Sequence, residues 1–296
     1  MRDEWLRPFS WTDRLGVEYS SVAEWQYVNG PASRKEGCTP GIRDEANEGK
    51  TLEMFLRDIN DEIMSFFVQH RRQAADEVAE HAKMTLDELL AVRLYTGPGY
   101  EPINDFLRQV EKLSGAFRTR VAKSAAFTFA ATVKHLCHAI RKLAAISPPE
   151  QATLPLYRGV RGELPATFWM EDEQGMVCAV DGGFMSTSKN KHTPIQYMGT
   201  GSNVLWEILP KAESDTAYHR GAEVGKLSQF AGEDEVLFPP CTLLQVQQNA
   251  KKEREEQAPS SSSQTKLYKH LSVSEEKDDR DPDKCFVSVS VTPFFV

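Results

Sequence analysis

Three consecutive carboxylates, Glu233-Asp234-Glu235, stand directly before the apolar run Val236-Leu237-Phe238 and a Pro239-Pro240 stop. Read as extended chain, Glu233 and Glu235 share one face and Asp234 takes the other. Two carboxylates aimed into one space repel each other, and the cost is offset only where a cation or a proton-handling partner enters between them. Read alone, the stretch is more simply a solvated acidic turn leading into a strand. Two other segments carry complementary groups. Tyr157-Arg158-Gly159 sets a guanidinium inside a short apolar strand, where it needs an anionic partner, either a protein carboxylate or a ligand. Ser186-Thr187-Ser188 lines up three hydroxyls, with Ser186 and Ser188 on one face, a composition equally at home on a solvated edge strand. His135 and His138, three apart around Cys137, have a zinc-compatible spacing. No further ligands follow at suitable distance, so they read as ordinary helix-surface and core histidines.

The elements that must hold these groups change character half way along the chain. Residues 1–50 are poorly patterned although rich in aromatics (Trp5, Phe9, Trp11, Tyr19, Trp25, Tyr27). Residues 51–150 read as helical. Leu56, Ile59, Ile63 and Phe66 recur at three- and four-residue steps over 51–80, with Thr51 as a possible cap. Thr85-Leu86-Asp87-Glu88 has the form of a capping box, and Thr96-Gly97-Pro98-Gly99 breaks that helix. Further helices are expected over 102–113 and 120–146, the last stopped by Ser147-Pro148-Pro149. Residues 151–296 are β-rich, with strands expected at 154–160, 184–188, 204–209 and within 235–246. Residues 248–283, rich in Lys, Glu, Asp and Ser and including Ser260-Ser261-Ser262-Ser263, read as a flexible, solvated insertion. The alternating Cys285-Phe286-Val287-Ser288-Val289-Ser290-Val291 is a final strand, expected to pair with 243–246 as the far arm of a long hairpin.

The chain has 296 residues and a net charge of −8, from 43 acidic and 35 basic side chains. That balance gives no basic footprint for nucleic acid, although one arginine suffices for a nucleotide. The five cysteines are odd in number, widely spaced and without a C-x-x-C, which argues against a disulfide framework and for a reducing compartment. No apolar stretch approaches the ~20 residues a membrane helix needs, and no signal peptide or lipidation motif is evident. A cytoplasmic placement without membrane or nucleic-acid partners is the expectation.

The order Leu156-Tyr157-Arg158-Gly159, then Gly183-Phe184-Met185-Ser186-Thr187-Ser188, then Glu233-Asp234-Glu235-Val236-Leu237-Phe238-Pro239-Pro240 resembles the mono-ADP-ribosyltransferases with an Arg–Ser–Glu triad, in their arginine-specific branch. The segment Leu94-Tyr95-Thr96-Gly97-Pro98-Gly99-Tyr100 through Ile103-Asn104 to Leu107-Arg108 is similar to their helical part. The resemblance covers roughly residues 85–247 and the final strand, and it rests on three motifs in order rather than on any one of them.

This resemblance implies an α+β ADP-ribosyltransferase fold: a mixed split β-sandwich core with an N-terminal helical subdomain, residues 51–296 acting as one catalytic domain. It implies NAD as co-substrate, no metal, and a target protein presenting arginine as partner. Arg158 then corresponds to the arginine that holds the dinucleotide, and Gly159 to the residue whose backbone meets the nicotinamide carboxamide. Ser186 orients the catalytic Glu235, with Thr187 and Ser188 completing the strand motif. Glu233 is the upstream acid of arginine-directed enzymes, and the loop 225–232 with Phe230 meets the target. Residues 248–283 match nothing in the family pattern. Two other functions stay open: an NAD glycohydrolase, in which water replaces arginine, and a catalytically silent NAD-binding or interaction module.

Overall fold

The computed structural model describes residues 10–12, 18–20, 52–70, 82–112, 129–146, 154–211, 219–228, 233–248, 271–281 and 283–295. Thr51, the expected helix continuations over 71–80 and 120–128, Phe230 and the Ser260–Ser263 run lie outside the described residues. In chain order the strands are β1 (Ser10–Thr12), β2 (Glu18–Ser20), β3 (Leu156–Arg161), β4 (Cys178–Asp181), β5 (Met185–Ser188), β6 (Asn203–Ile208), β7 (Ala222–Glu223), β8 (Glu235–Phe238), β9 (Thr242–Val246), β10 (Val273–Lys277) and β11 (Cys285–Phe294). The helices are α1 (Leu52–His70), α2 (Leu86–Leu94), α3 (Tyr100–Lys112), α4 (Ala130–Ala145) and α5 (His192–Gln196). The expected α+β class holds. Chain contacts divide it into two compact units. One comprises Met1–Ser147, Gly182–Phe184 and Gly221–Pro240; the other comprises Pro148–Asp181, Met185–Arg220 and Cys241–Val296. No helix among the described residues is long and apolar enough to cross a membrane.

The first unit is helical, with the β7–β8 ribbon and the β1–β2 ribbon, in which Trp11 stands opposite Tyr19. The predicted capping box is present: Thr85 Oγ1 accepts from Glu88 N at 3.3 Å, and Glu88 Oε2 accepts from Thr85 N at 2.8 Å. The buried Glu88 carboxylate also binds Lys142 Nζ of α4 at 2.9 Å, so a local helix-start signal doubles as a tie between helices. The expected break after α2 is present, as a kink at Gly97 rather than as an open loop. Tyr95–Gly99 makes one π-helical turn that carries the chain from α2 into α3, with Gly97 as its non-helical residue. A Cβ on Gly99 would fall 2.6 Å from the Leu94 carbonyl oxygen, so only glycine fits that turn. The helix expected over 120–146 does not run unbroken, because Phe129 has φ 46° and α4 begins after it. A left-handed phenylalanine is costly and stops a helix.

The core of this unit gathers Ile59, Ile63, Leu89, Ile103, Leu136 and Ile140 with Phe184 and Leu237. Buried Asn104 is its polar rivet. Its Oδ1 accepts from Phe184 N at 2.8 Å, and its Nδ2 donates to Tyr95 Oη at 3.0 Å and to the Phe184 carbonyl at 3.3 Å. The Phe184 backbone is thereby fixed two residues ahead of Ser186. Truncation would take the acceptor from Phe184 N, although Tyr95 Oη still donates to the Phe184 carbonyl at 3.3 Å. Asn104→Ala is therefore expected to cost about 2–3 kcal/mol and to lower Tm by roughly 5–10 °C. Thermal denaturation of the variant checks this, and an unchanged Tm would remove the role.

The second unit is a mixed sheet in the order β4-β9-β11-β6-β3-β5, with β10 also on β11. β11 runs parallel to β6 and antiparallel to β9 and β10. Its sequence alternation does not separate a wet face from a dry one. Ser288, Ser290 and Thr292 are buried, as are Val289 and Val291, and Ser290 Oγ donates to Glu207 Oε2 at 2.7 Å. The strand is central and covered on both sides, and its hydroxyls are tolerated because they are bonded.

The pairing of β11 with 243–246 is as expected, but the reading of 248–283 as wholly flexible is corrected at its end. Val273–Lys277 is a strand, and the hairpin partner of β11 is β10, across residues 278–284. β9 and β10 lie end to end along one edge of β11, Val246 opposite Val291 and Val273 opposite Val289. A Gln248–Leu271 bridge closes the base of the intervening segment. Residues 249–270 are thus spliced into what is otherwise one continuous edge.

Candidate functional site

Arg158 lies in β3, registered against Trp206 of β6, with its side chain 21% exposed. Nη1 donates to the Ser186 carbonyl at 2.9 Å, and Nη2 donates to Asp181 Oδ2 at 3.3 Å. The carboxylate partner that a guanidinium in a strand requires is therefore Asp181, at the end of β4. A guanidinium has five N–H donors, and two contacts fix its plane while leaving others for a ligand. The Asp181 contact is longer than the 2.7–2.9 Å of a strong charge-assisted bond. It steers the side chain without satisfying it.

Gly159 faces α5: a Cβ there would come 3.0 Å from the Pro194 carbonyl oxygen and from Met198 Cε. The backbone is close-packed at that point, and no side chain can be added without displacing α5. Ser186, Thr187 and Ser188 form the end of β5, with Ser188 registered against Tyr157. Thr187 and Ser188 are buried and Ser186 is half-buried, so this is not the solvated edge that its composition permits. Ser188 Oγ accepts from Asn190 N at 3.0 Å. Ser186 contributes its carbonyl to Arg158, which ties the arginine and serine motifs together within the second unit. Partial burial, with the Glu207 charge next in importance, pushes the Tyr157 phenol above its ordinary value, so it stays a neutral donor at physiological pH.

Glu235 and Glu233 belong to the first unit. Glu235 opens β8 and is 7% exposed, and its carbonyl accepts from Val224 N at 3.0 Å. The same-face reading of Glu233 and Glu235 is corrected. β8 begins only at Glu235, and Asp234 has φ 48°, so strand alternation does not relate the two acids. Asp234 is exposed and Glu233 half-buried. Aspartate is one of the few residues that enters the left-handed region readily, which is why the acidic run turns here instead of extending.

His135 and His138 do not converge on a common point. His135 is buried in the helix core, whereas His138 is exposed, with Nδ1 3.8 Å from Glu88 Oε1. Sequence reasoning missed Asp181 and quoted Asn104 without a role. The one available signal for Asp181 was that Arg158 needed a carboxylate.

A family model described as NAD:arginine ADP-ribosyltransferase matches residues 44–266. No curated protein matches the chain. Among solved structures, the chain is similar to the ADP-ribosyltransferase HopU1 of Pseudomonas syringae pv. tomato DC3000, at 17% identity and a TM-score of 0.44, over 82% of this chain and 88% of that one. It is similar to the Vis toxin of Vibrio splendidus at 15% identity and a TM-score of 0.43, over 88% and 89% respectively. It is also similar to the eukaryotic mono-ADP-ribosyltransferase ART2.2 at 14% identity and a TM-score of 0.38, over 87% and 94%.

Proposed function

The chain belongs to the NAD:arginine ADP-ribosyltransferase family, and on that premise we propose that it transfers ADP-ribose from NAD to arginine side chains of a target protein, releasing nicotinamide. The observation that carries the arginine reading is that the matched span contains Glu233 ahead of Glu235, together with Arg158 and Ser186.

In the proposed reaction the bond between ribose C1′ and the nicotinamide ring nitrogen breaks, and its electron pair leaves with nicotinamide. That leaving group departs neutral, so no general acid is required. Positive charge grows on the ribose as it does in glycoside hydrolysis. A carboxylate bonded to the ribose 2′-OH interacts more strongly as that charge grows, which is stabilisation directed at the transition state. Glu235 is assigned this role. Arg158 meets the diphosphate, the anion that suits a planar guanidinium. Ser186 is assigned the part of the triad serine. The acceptor arrives as a protonated guanidinium with a pKa above ~12 and is a poor nucleophile. Glu233 aligns it and takes a proton as its nitrogen bonds to C1′.

The test is incubation of the whole chain with NAD and agmatine, a free guanidine, following nicotinamide and ADP-ribosyl-agmatine together. Equal release of both supports transfer to arginine. Nicotinamide without adduct supports the glycohydrolase reading, and neither product overturns both.

Asp181 gives a second expectation. Because it aims the Arg158 guanidinium, Asp181→Asn is expected to raise KM for NAD by about tenfold, one hydrogen bond to a charged group, with kcat little changed. Steady-state kinetics over NAD concentration checks it, and an unchanged KM would leave Asp181 as a structural partner only.

A further inference from the structure

We propose that His192, Asp278 and Asp279 form a binding site for a divalent first-row transition ion, of which zinc is the type, and that the bound ion pins α5 to the β10–β11 hairpin. The site lies within the second unit. His192 Nδ1 is buried and makes no hydrogen bond among the described residues. It stands 4.0 Å from Asp278 Oδ1 and 4.0 Å from Asp279 Oδ1, too far to donate to either. A buried imidazole nitrogen thus stands between two carboxylates and is hydrogen-bonded to neither.

The geometry suits a cation. One ligand atom from each of the three residues lies within 4.8 Å of the other two. A point central to such a triangle is therefore about 2.8 Å or less from all three, against ~2.0–2.2 Å in zinc sites. Closing that difference takes at most about 0.6–0.8 Å, and Asp279, 78% exposed, can supply part of it by rotating. Asp278 is 8% exposed and anchored, its Oδ1 accepting from Arg280 N at 3.3 Å. One imidazole and two carboxylates favour borderline divalent ions over calcium or magnesium, which take all-oxygen shells. Water would complete the coordination.

Two of the nearby cations are engaged elsewhere. Lys191 binds Glu276 at 2.7 Å, and Lys284 reaches the Ile195 carbonyl at 3.3 Å. These two lysines already fasten the hairpin to both ends of α5. A metal at His192 would add a third fastening to the helix against which Gly159 packs. This role is one of support, separate from the transfer chemistry and independent of whether that assignment holds.

The experiment is isothermal titration of the full chain, stripped with chelator, with zinc chloride, beside His192→Gln and Asp279→Asn. The expected result is one zinc site per chain, with affinity lowered at least about tenfold in both variants and a zinc-dependent rise in Tm that both lose. Asp279 is exposed enough that its variant folds even if the His192 variant does not. Absence of zinc binding, or binding that survives in Asp279→Asn, overturns the proposal and leaves an imidazole–carboxylate cluster without a metal.

Discussion

Glu235→Gln is expected to lower the kcat for nicotinamide release by about 10³-fold, the loss typical of removing one transition-state electrostatic contact. KM for NAD should move by less than about threefold, because the neutral amide still accepts from a 2′-OH in the ground state. What disappears is the charge, which matters only as positive charge grows on the ribose. The substitution is close to isosteric at a position 7% exposed, followed by buried Val236, Leu237 and Phe238. It removes a buried charge without creating one, so the variant should fold. Single-turnover kinetics with labelled NAD separates the chemical step from product release. A chemical rate within tenfold of the parent would remove Glu235 from the reaction.

Glu233→Gln should divide the two half-functions. Transfer to agmatine is expected to fall by about 100-fold, the low end of what a positioned proton acceptor contributes. Nicotinamide release into water should stay within about threefold of the parent. The measurement is the ratio of adduct to free nicotinamide, which a general loss of folding cannot change. If both rates fell together, Glu233 would act through the same step as Glu235, and the arginine assignment would lose its support. The left-handed turn at Asp234 gives this experiment its interest. Glu233 is aimed by a turn rather than by the strand, so its orientation is set separately from that of Glu235.

The features legible in the sequence are those whose signal is local. Thr85 and Glu88 carry a capping box in four residues, and the structure forms both of its bonds. The 285–291 alternation marks a strand wherever it is placed, and it also gave the correct partner in 243–246. Arg158 in a short apolar run announced that a carboxylate or an anion must be near, and Asp181 is near.

The features not legible depend on distant neighbours. Val273-Ser274-Glu275-Glu276-Lys277 has the composition of a solvated loop and becomes a strand only because β11 offers it an edge. Glu276 shows what secures it. Despite the upward push of burial, bonds from Lys191 and Ser274 hold its carboxyl below the ordinary range. Nothing within the segment announces that Lys191 will be there. Asp234 looked like the middle of an extended run, and its turn rests on a conformational tolerance that sequence spacing does not report. The burial of Ser288, Ser290 and Thr292 was not legible either, because alternation cannot tell a covered sheet from an open one.

The splice between β9 and β10 leaves that edge of the sheet with a loop to close. The chain leaves after Val246 and returns at Val273, opposite positions on β11 that are two residues apart, with Gln248 bridged to Leu271 at the neck. Closing a loop there grows costlier only with the logarithm of its length, about 0.6 kcal/mol per doubling. By that measure alone, a shorter or longer connection between Gln248 and Leu271 changes the cost of joining β9 to β10 only slightly.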